Sequence, residues 1–519
     1  MSEDKLVGED HRHRALMKLR LELKKDISRA VSIATKCGIW ELLRFYYQLR
    51  VSRTIAMNLP AQGKSTDAQI AELHLHDEAV KYAIALVAKH GIWGDMDDLQ
   101  SSYKNFNNNV AQMLVTYACH INSKFDTEAL LHIANIKVIG DRDQDAILET
   151  DLDKLEPQRA IYLHYGLRIE QFAICSKERF KSVPELVAQV RKDVSGLEEH
   201  FAEVFGLSLE RYCAGLGELR SMFEVKLQKA LENIDPQNTG SIDFDQEETF
   251  VSVASAMYFT DSDLDAGVNA DFAAYLRAHP FEPGSVSGDE LRFHYLTRRP
   301  FLVGSGFAVL SPDLCFDSIV DNIRFTLLED SGSKHAYKAA ASGAFLDLIA
   351  EAAKLYGYIE VGRDVDLKQG KKKLGDIDLI LFNASSNHTI LVEGKNHALP
   401  LAVYFRSPEA VEDHVIRTQD WEKRVKRRIE HLKSNSPSYK VIGDWEYIIV
   451  SRMPEPLAHH TDLLVLCLEE FNQWLAKTPR ETHFKDFHHR IYLSNQPNMT
   501  MAEMEELRKK GYSLLRVEP

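Results

Sequence analysis

Apolar residues recur every three to four positions over Arg14 to Arg50, Ala68 to Lys89, Asn109 to Asn122, Leu155 to Lys177 and Val183 to Glu232, with few β-branched runs. That is the period of a helix burying one face, so the first half is predicted to be helical. An echo joins Ala34–Trp40 (ATKCGIW) to Val87–Trp93 (VAKHGIW), as in duplicated helical hairpins, although two copies do not make a solenoid. From 256 to 333 the pattern is mixed: an acidic run from Thr260 to Asp271, a Pro/Gly/Ser bend at Pro280 to Gly288, then a strand-like Phe301 to Leu310.

The periodicity changes again near residue 340. Ala344 to Tyr356 (AFLDLIAEAAKLY) reads as an amphipathic helix closed by Gly357, and Tyr358 to Val365 as a strand. Gly375 to Phe382 and Thr389 to Lys395 are apolar strands joined by the turn formers Asn383 to His388, the pattern of a hairpin. With the two-residue period of a strand, Asp376 and Asp378 share one face of the first, and Glu393 and Lys395 share one face of the second. Antiparallel pairing would bring Asp378 close to Glu393. Pro408 to Lys433 then reads as a long basic helix, Glu446 to Val450 as a strand, and Leu463 to Cys467 as an apolar run leading into a further helix. The tail has a strand–helix–strand look at Arg490 to Ser494, Met501 to Lys510 and Tyr512 to Val517. This succession predicts a helical domain over 1–255, a mixed connecting module over 256–333, and an α/β domain with a central mixed sheet over 334–519.

Two carboxylates and a lysine on adjacent strands can hold a divalent metal beside a phosphodiester. Hard oxygen ligands suit Mg²⁺ or Mn²⁺, which need few protein carboxylates. Asp378 followed by Glu393-Gly394-Lys395, with these flanking elements, resembles the core of the PD-(D/E)XK nuclease superfamily, the restriction-endonuclease-like fold, over roughly 335 to 475. Ile377 stands where the family's name motif has proline. The resemblance implies an α/β/α nuclease domain in which Asp378, Glu393 and the Gly394 carbonyl ligate the metal. It implies that Lys395 orients the attacking water and stabilises developing charge. It further implies an acid from the preceding helix, Glu351 or its neighbour Asp347, and a glutamine, Gln419, from the following one.

Charge adds a local argument. Lys368, Lys371, Lys372 and Lys373 precede Asp376, and the basic helix carries Lys423, Arg424 and Arg427 among other cations, so Lys371–Lys373 with Lys423, Arg424 and Arg427 are the candidate nucleic-acid contacts. The whole chain is acidic instead, 63 Lys+Arg against 77 Asp+Glu, which restricts polyanion binding to one module. The six dispersed cysteines, none in a Cys-x-x-Cys pair, read as reduced, mostly buried thiols and not as a disulfide frame or zinc site. No apolar stretch of membrane-spanning length and no secretion signal is read, so a cytoplasmic protein is expected. Gly63–Thr66 is a truncated P-loop better read as a helix cap, and Asp235–Asp243 an incomplete calcium loop. His74, His76, His459, His460, His488 and His489 read as surface histidines.

The expected function is metal-dependent cleavage of nucleic acid, with DNA the preferred substrate. By analogy the setting is a restriction or anti-phage defence effector whose helical half controls activity through a partner protein or homo-oligomer. The alternatives are a catalytically silent nuclease fold that binds nucleic acid, and a helical interaction scaffold.

Overall fold

The computed structural model describes residues 3–58, 67–95, 98–133, 135–138, 146–149, 157–175, 183–234, 246–282, 296, 298–330, 332, 334–397 and 399–493. Contacts group the chain into two compact units, each built from separated stretches: 1–18, 126–175 and 341–519 in one, 19–125 and 176–340 in the other. Residues 126–175, which hold a short antiparallel strand pair, Asn135–Val138 with Ala146–Glu149, and the helix expected within Leu155 to Lys177, thus group with the C-terminal sheet. Residues 256–333 group with helices of the first half. The P-loop-like and calcium-loop-like segments and the tail at Met501 to Val517 lie outside the described residues.

The N-terminal half is helical, as its periodicity predicts, but the long runs are broken. Arg14–Arg50 divides between helices Glu3–Ala34 and Ile39–Asn58. Val183–Glu232 becomes Val183–Asp193, Glu198–Phe205 and Leu209–Ile234, with turns at Gly196 and Gly206. Periodicity continues through a short turn when the next helix reuses the same core, which is why the pattern alone did not mark these breaks.

In the unit holding 19–125 and 176–340, the two echoed segments touch. The Ile92 N–H donates to the Cys37 carbonyl at 2.9 Å. A Cβ on Gly91 would lie 2.9 Å from that carbonyl oxygen and 2.7 Å from that of Val87, so only glycine permits the approach. Elsewhere in this unit Phe201, Phe205, Tyr212, Phe272 and Tyr275 form an aromatic core. Buried Asn322 accepts the hydroxyls of Tyr212 and Tyr275 at 2.7 and 2.9 Å, so neither phenol is orphaned. The strand expected at Phe301–Leu310 is instead a tight hairpin, Leu302–Gly304 and Phe307–Val309, whose second strand also pairs with Tyr258–Thr260.

The other unit contains helix α1 (Pro157–Cys175), helix α2 (Lys334–Lys354, from Ala341 onward), strands β1 (Ile359–Gln369), β2 (Lys372–Asn383) and β3 (His388–Lys395), helix α3 (Pro408–Asn435), strands β4 (Asp444–Ser451) and β5 (Leu464–Cys467), and helix α4 (Leu468–Leu475). The sheet order is β5-β4-β3-β2-β1. Strands β1 to β3 form an antiparallel meander, while β4 and β5 join in parallel, so the sheet is mixed. Ile390, Leu391 and Val392 are all fully buried, as befits a central strand covered on both faces. Leu346, Ile349 and Ala353 of α2, Val425 and Leu432 of α3, and Phe471 and Trp474 of α4 complete this core. Although α3 is rich in charge, its few apolar residues share one stripe, and that stripe is what it buries.

Two expectations are corrected here. Arg490–Leu493 is helical, part of a π-type turn over His489–Leu493, not a strand, because Tyr492 turns inward to the sheet core. His459 and His488 are not surface residues: their rings lie 5.1 Å apart, and His164 lies 4.7 Å from His488. Burial pushes the His488 imidazole down to about 3, helped by the neighbouring His164 and Arg168. Cys37, Cys119, Cys213, Cys315 and Cys467 are free thiols. No described helix is long and apolar enough to cross a membrane.

One buried ion pair ties α1 to this unit. The Arg168 guanidinium donates to both oxygens of Glu470 at 2.7 Å and to the Glu455 carbonyl at 2.8 Å, with both charged side chains almost fully buried. The Tyr492 hydroxyl adds a bond to Glu470 at 2.6 Å. Burial works against the Glu470 charge, but Arg168 prevails and holds its carboxyl below the usual range. Replacing Arg168 by Met strands that charge and is expected to cost about 3–5 kcal/mol in urea unfolding at neutral pH. Because the folded-state pKa is depressed, this contribution is full above the unfolded value of about 4.3 and fades as pH falls through it. The cost of Arg168→Met should therefore shrink toward pH 3; a cost independent of pH would contradict the assignment.

Candidate active site

The acidic hairpin forms with the anticipated alternation. Strand β2 pairs with β3 through Leu379 opposite Val392, and the same register carried one step further sets Asp378 opposite Glu393. The Gly394 N–H donates to Asp378 Oδ2 at 2.7 Å, so this glycine, expected to offer its carbonyl, also pins the aspartate by its amide. Lys395 Nζ donates to Glu393 Oε1 at 2.7 Å and lies 5.5 Å from the centroid of the Trp421 ring. Asp378, Glu393 and Lys395, distant by up to 17 positions in sequence, are thus brought together at one end of the hairpin.

Two further aspartates join them. Val365 sits opposite Ile377 and Asp366 opposite Asp376, a register that sets Asp364 opposite Asp378. Carboxylate oxygens of Asp364, Asp376 and Asp378 lie within 4.8 Å of one another. Burial, followed by the charge of Glu393, pushes the Asp378 carboxyl up to about 7, against the pull of Lys395 and the Gly394 amide. A carboxyl so placed lacks positive charge, which is the electrostatic condition a cation would relieve.

Glu393 is satisfied differently. It is nearly fully buried, and its Oε2 accepts from Arg428 Nη1 in a close ion pair. Tyr447 lies 3.4 Å from the same oxygen and 3.2 Å from Arg428 Nη1. Arg428 Nη2 is also 3.8 Å from Asp376. Space for this guanidinium comes from Gly375, held at φ +126°, where a Cβ would meet Arg428 Nε at 2.7 Å. Sequence reasoning counted Arg428 as one more cation of a basic helix. Its spacing from the inward-facing Val425 and Leu432 was the available signal that it points into the core.

Asp347 pairs with Arg363 at 2.8 Å, and Glu351 is exposed on α2 and belongs to none of the metal-compatible clusters among the described residues. Gln419 is half-buried on α3 and makes no hydrogen bond to Asp378, Glu393 or Lys395; Trp421, two residues on, is what reaches Lys395. Helix phase explains this: a shift of two residues rotates a side chain by about 200°.

The lysine-rich segment is not a loop. Lys368 is the last residue but one of β1, Gly370 and Lys371 make the turn, and Lys372 and Lys373 open β2. Lys371, Lys372, Lys373, Lys423, Arg424 and Arg427 are all exposed. Arg427 Nη2 donates to the Leu374 carbonyl at 3.0 Å, which brings the basic part of α3 against the lysine hairpin. Lys373 is paired with Asp366.

Compared with protein-family models, with curated proteins and with solved structures, the chain gives no match.

Gly375→Ala adds a side chain at a left-handed φ and drives the Arg428 guanidinium off Glu393. The expected loss is about 1–3 kcal/mol in urea unfolding. An unchanged midpoint would show that Arg428 does not depend on this gap.

Proposed function

We propose that the unit containing residues 341–519 is a metal-dependent phosphodiesterase of the PD-(D/E)XK type acting on nucleic acid, DNA in the first instance. The observation that carries the reading is the convergence of Asp378, Glu393 and Lys395 at one end of the β2–β3 hairpin, beside an exposed basic surface. The meander followed by parallel β4 and β5, with helices before and after, supports the restriction-endonuclease-like arrangement.

Asp378 with Asp364 and Asp376 offers the hard oxygen donors that Mg²⁺ or Mn²⁺ prefers, and the raised Asp378 pKa fits a site short of positive charge. Glu393 would join them from the facing strand on partial release from Arg428. A bound ion of this class supplies Lewis-acid stabilisation of phosphoryl oxygens. Lys395, a half-buried ammonium fixed by Glu393, would orient the attacking water and neutralise charge growing on the phosphorane. The Lys371–Lys373 turn and the Lys423, Arg424 and Arg427 face of α3 would track the phosphate backbone without reading bases. A cytoplasmic defence effector, with the helical half restraining or assembling the nuclease, is the setting that this architecture fits by analogy.

The Arg428–Glu393 pair favours a second reading, a nuclease fold that binds without cutting, since the cation already takes the carboxylate. Cleavage assays separate the two. With Mg²⁺ or Mn²⁺, the full chain is expected to cut duplex DNA, and Lys395→Ala and Asp378→Asn to lower the rate by about 100-fold or more. Cleavage of single-stranded DNA or RNA instead would change the substrate and keep the mechanism. Equal inertness of wild type and both variants on every substrate would end the enzyme reading, and tight binding with that inertness would establish the silent one. Removing the surface charges by Lys371→Ala with Lys372→Ala should weaken DNA binding uniformly across sequences and flatten its salt dependence.

A further inference from the structure

A second cluster of ligating side chains lies apart from the acidic hairpin. His397 follows β3, His414 lies near the start of α3, and Glu455 follows β4 just before the short turn Pro456–His459. One oxygen of Glu455 is 2.8 Å from His414 Nε2 and the other is 2.8 Å from His397 Nε2. The ligating atoms of all three lie within 4.8 Å of one another.

Glu455 is fully buried and His414 nearly so, while the side chain of His397 keeps 31% of its exposure. A carboxylate taken wholly out of water needs strong compensation. His414 provides a hydrogen bond. The approach of His397 does not: its Nε2 and Glu455 Oε1 are misaligned for a hydrogen bond, and both atoms are left without any hydrogen-bond partner. An imidazole nitrogen and an oxygen of a fully buried carboxylate thus meet at 2.8 Å outside hydrogen-bond geometry, an arrangement that a shared cation would complete. The groups come from three separated stretches, the segment after β3, helix α3 and the segment after β4, and the Arg168 guanidinium anchors the Glu455 backbone carbonyl.

We propose that His397, His414 and Glu455 bind a transition-metal ion of the zinc class. Two imidazoles and one carboxylate form a donor set that Zn²⁺ accepts in tetrahedral sites, whereas Mg²⁺ retains its waters and prefers oxygen. With bonds of about 2.1 Å, tetrahedral edges are about 3.4 Å, so whichever Glu455 oxygen binds, its 2.8 Å histidine contact opens by about 0.6 Å, and the remaining edges close from separations within 4.8 Å. The partly exposed side of His397 leaves a fourth position for water. The site uses none of Asp378, Glu393 or Lys395, yet the His397 ring lies 5.1 Å from that of Trp421, on which Lys395 rests. The ion would thereby fix the wall against which the lysine is held. The proposal stands whether or not the hairpin cuts nucleic acid.

The competing account is an ion triad, with protons in place of the metal. The test uses the full chain without a polyhistidine tag, stripped with chelator, then titrated with Co²⁺ and followed by its visible ligand-field bands, and with Zn²⁺ by calorimetry. Wild type should bind one more equivalent than His397→Ala, whose mutated side chain is partly exposed and whose fold is checked by circular dichroism. Glu455→Gln should lose the same equivalent, and Asp378→Asn should keep it. If wild type and His397→Ala bind equal amounts with the same spectrum, the triad is an ion pair and the proposal fails. It fails equally if Asp378→Asn removes the signal, since the metal then belongs to the acidic hairpin.

Discussion

Glu393 is a carboxylate buried at the end of the central strand of a mixed sheet, and burial of such a charge is tolerated only when cations are brought to it. Lys395 comes from its own strand and Arg428 from the following helix. Meeting that demand fixes much around it. Arg428 must point into the core from a helix otherwise covered in exposed charge, and Gly375 must stay a glycine to leave room for it. Tyr447 on β4 closes the far side of the pair. Asp378, facing the same carboxylate, is left short of positive charge. The contrast between Glu393, closed on by two cations, and Asp378, whose carboxyl burial and the Glu393 charge push up, is what gives the hairpin a reason to accept a cation.

The same logic runs through the rest of this unit. Glu470 is held by Arg168, and Glu455 by His414, with His397 in contact at 2.8 Å. These three buried carboxylates sit within one sheet domain, each approached by a base from a distant stretch of chain. Such pairs add less stability than apolar packing would, but they penalise every arrangement in which the partners fail to meet. Here they bind α1, α3 and the segment after β4 to the sheet, and so recruit residues 157–175 into a unit whose other elements lie beyond residue 340.

What could be read in the sequence was what depends on local period. The alternation of β2 and β3 put Asp378 and Glu393 on one face, and the register agrees. Pro408 marked the start of α3, and the apolar runs marked β4 and β5. The contributions of Asp364 and Asp376 were nearly within reach, since Asp376 shares the parity of Asp378; Asp364 needed the β1–β2 register, which no local pattern supplies. Arg428, Tyr447, His397, His414 and Glu455 were not legible because their roles are created by long-range contacts between residues that look ordinary in their own segments. The roles of Glu351 and Gln419 were not legible for a related reason. A helix can be predicted from its stripe, but which residue beside the stripe reaches a strand end depends on its axial position and phase.

The central claim is that the aspartates beside Glu393 receive a divalent cation. Anomalous-difference maps from crystals grown with Mn²⁺ test it most directly. The account predicts a peak within coordination distance of Asp378, bounded by Asp364, Asp376 or Glu393, with the Arg428–Glu393 contact loosened. A saturating Mn²⁺ concentration that leaves no peak beside Asp378, with Arg428 still closed on Glu393, would contradict it.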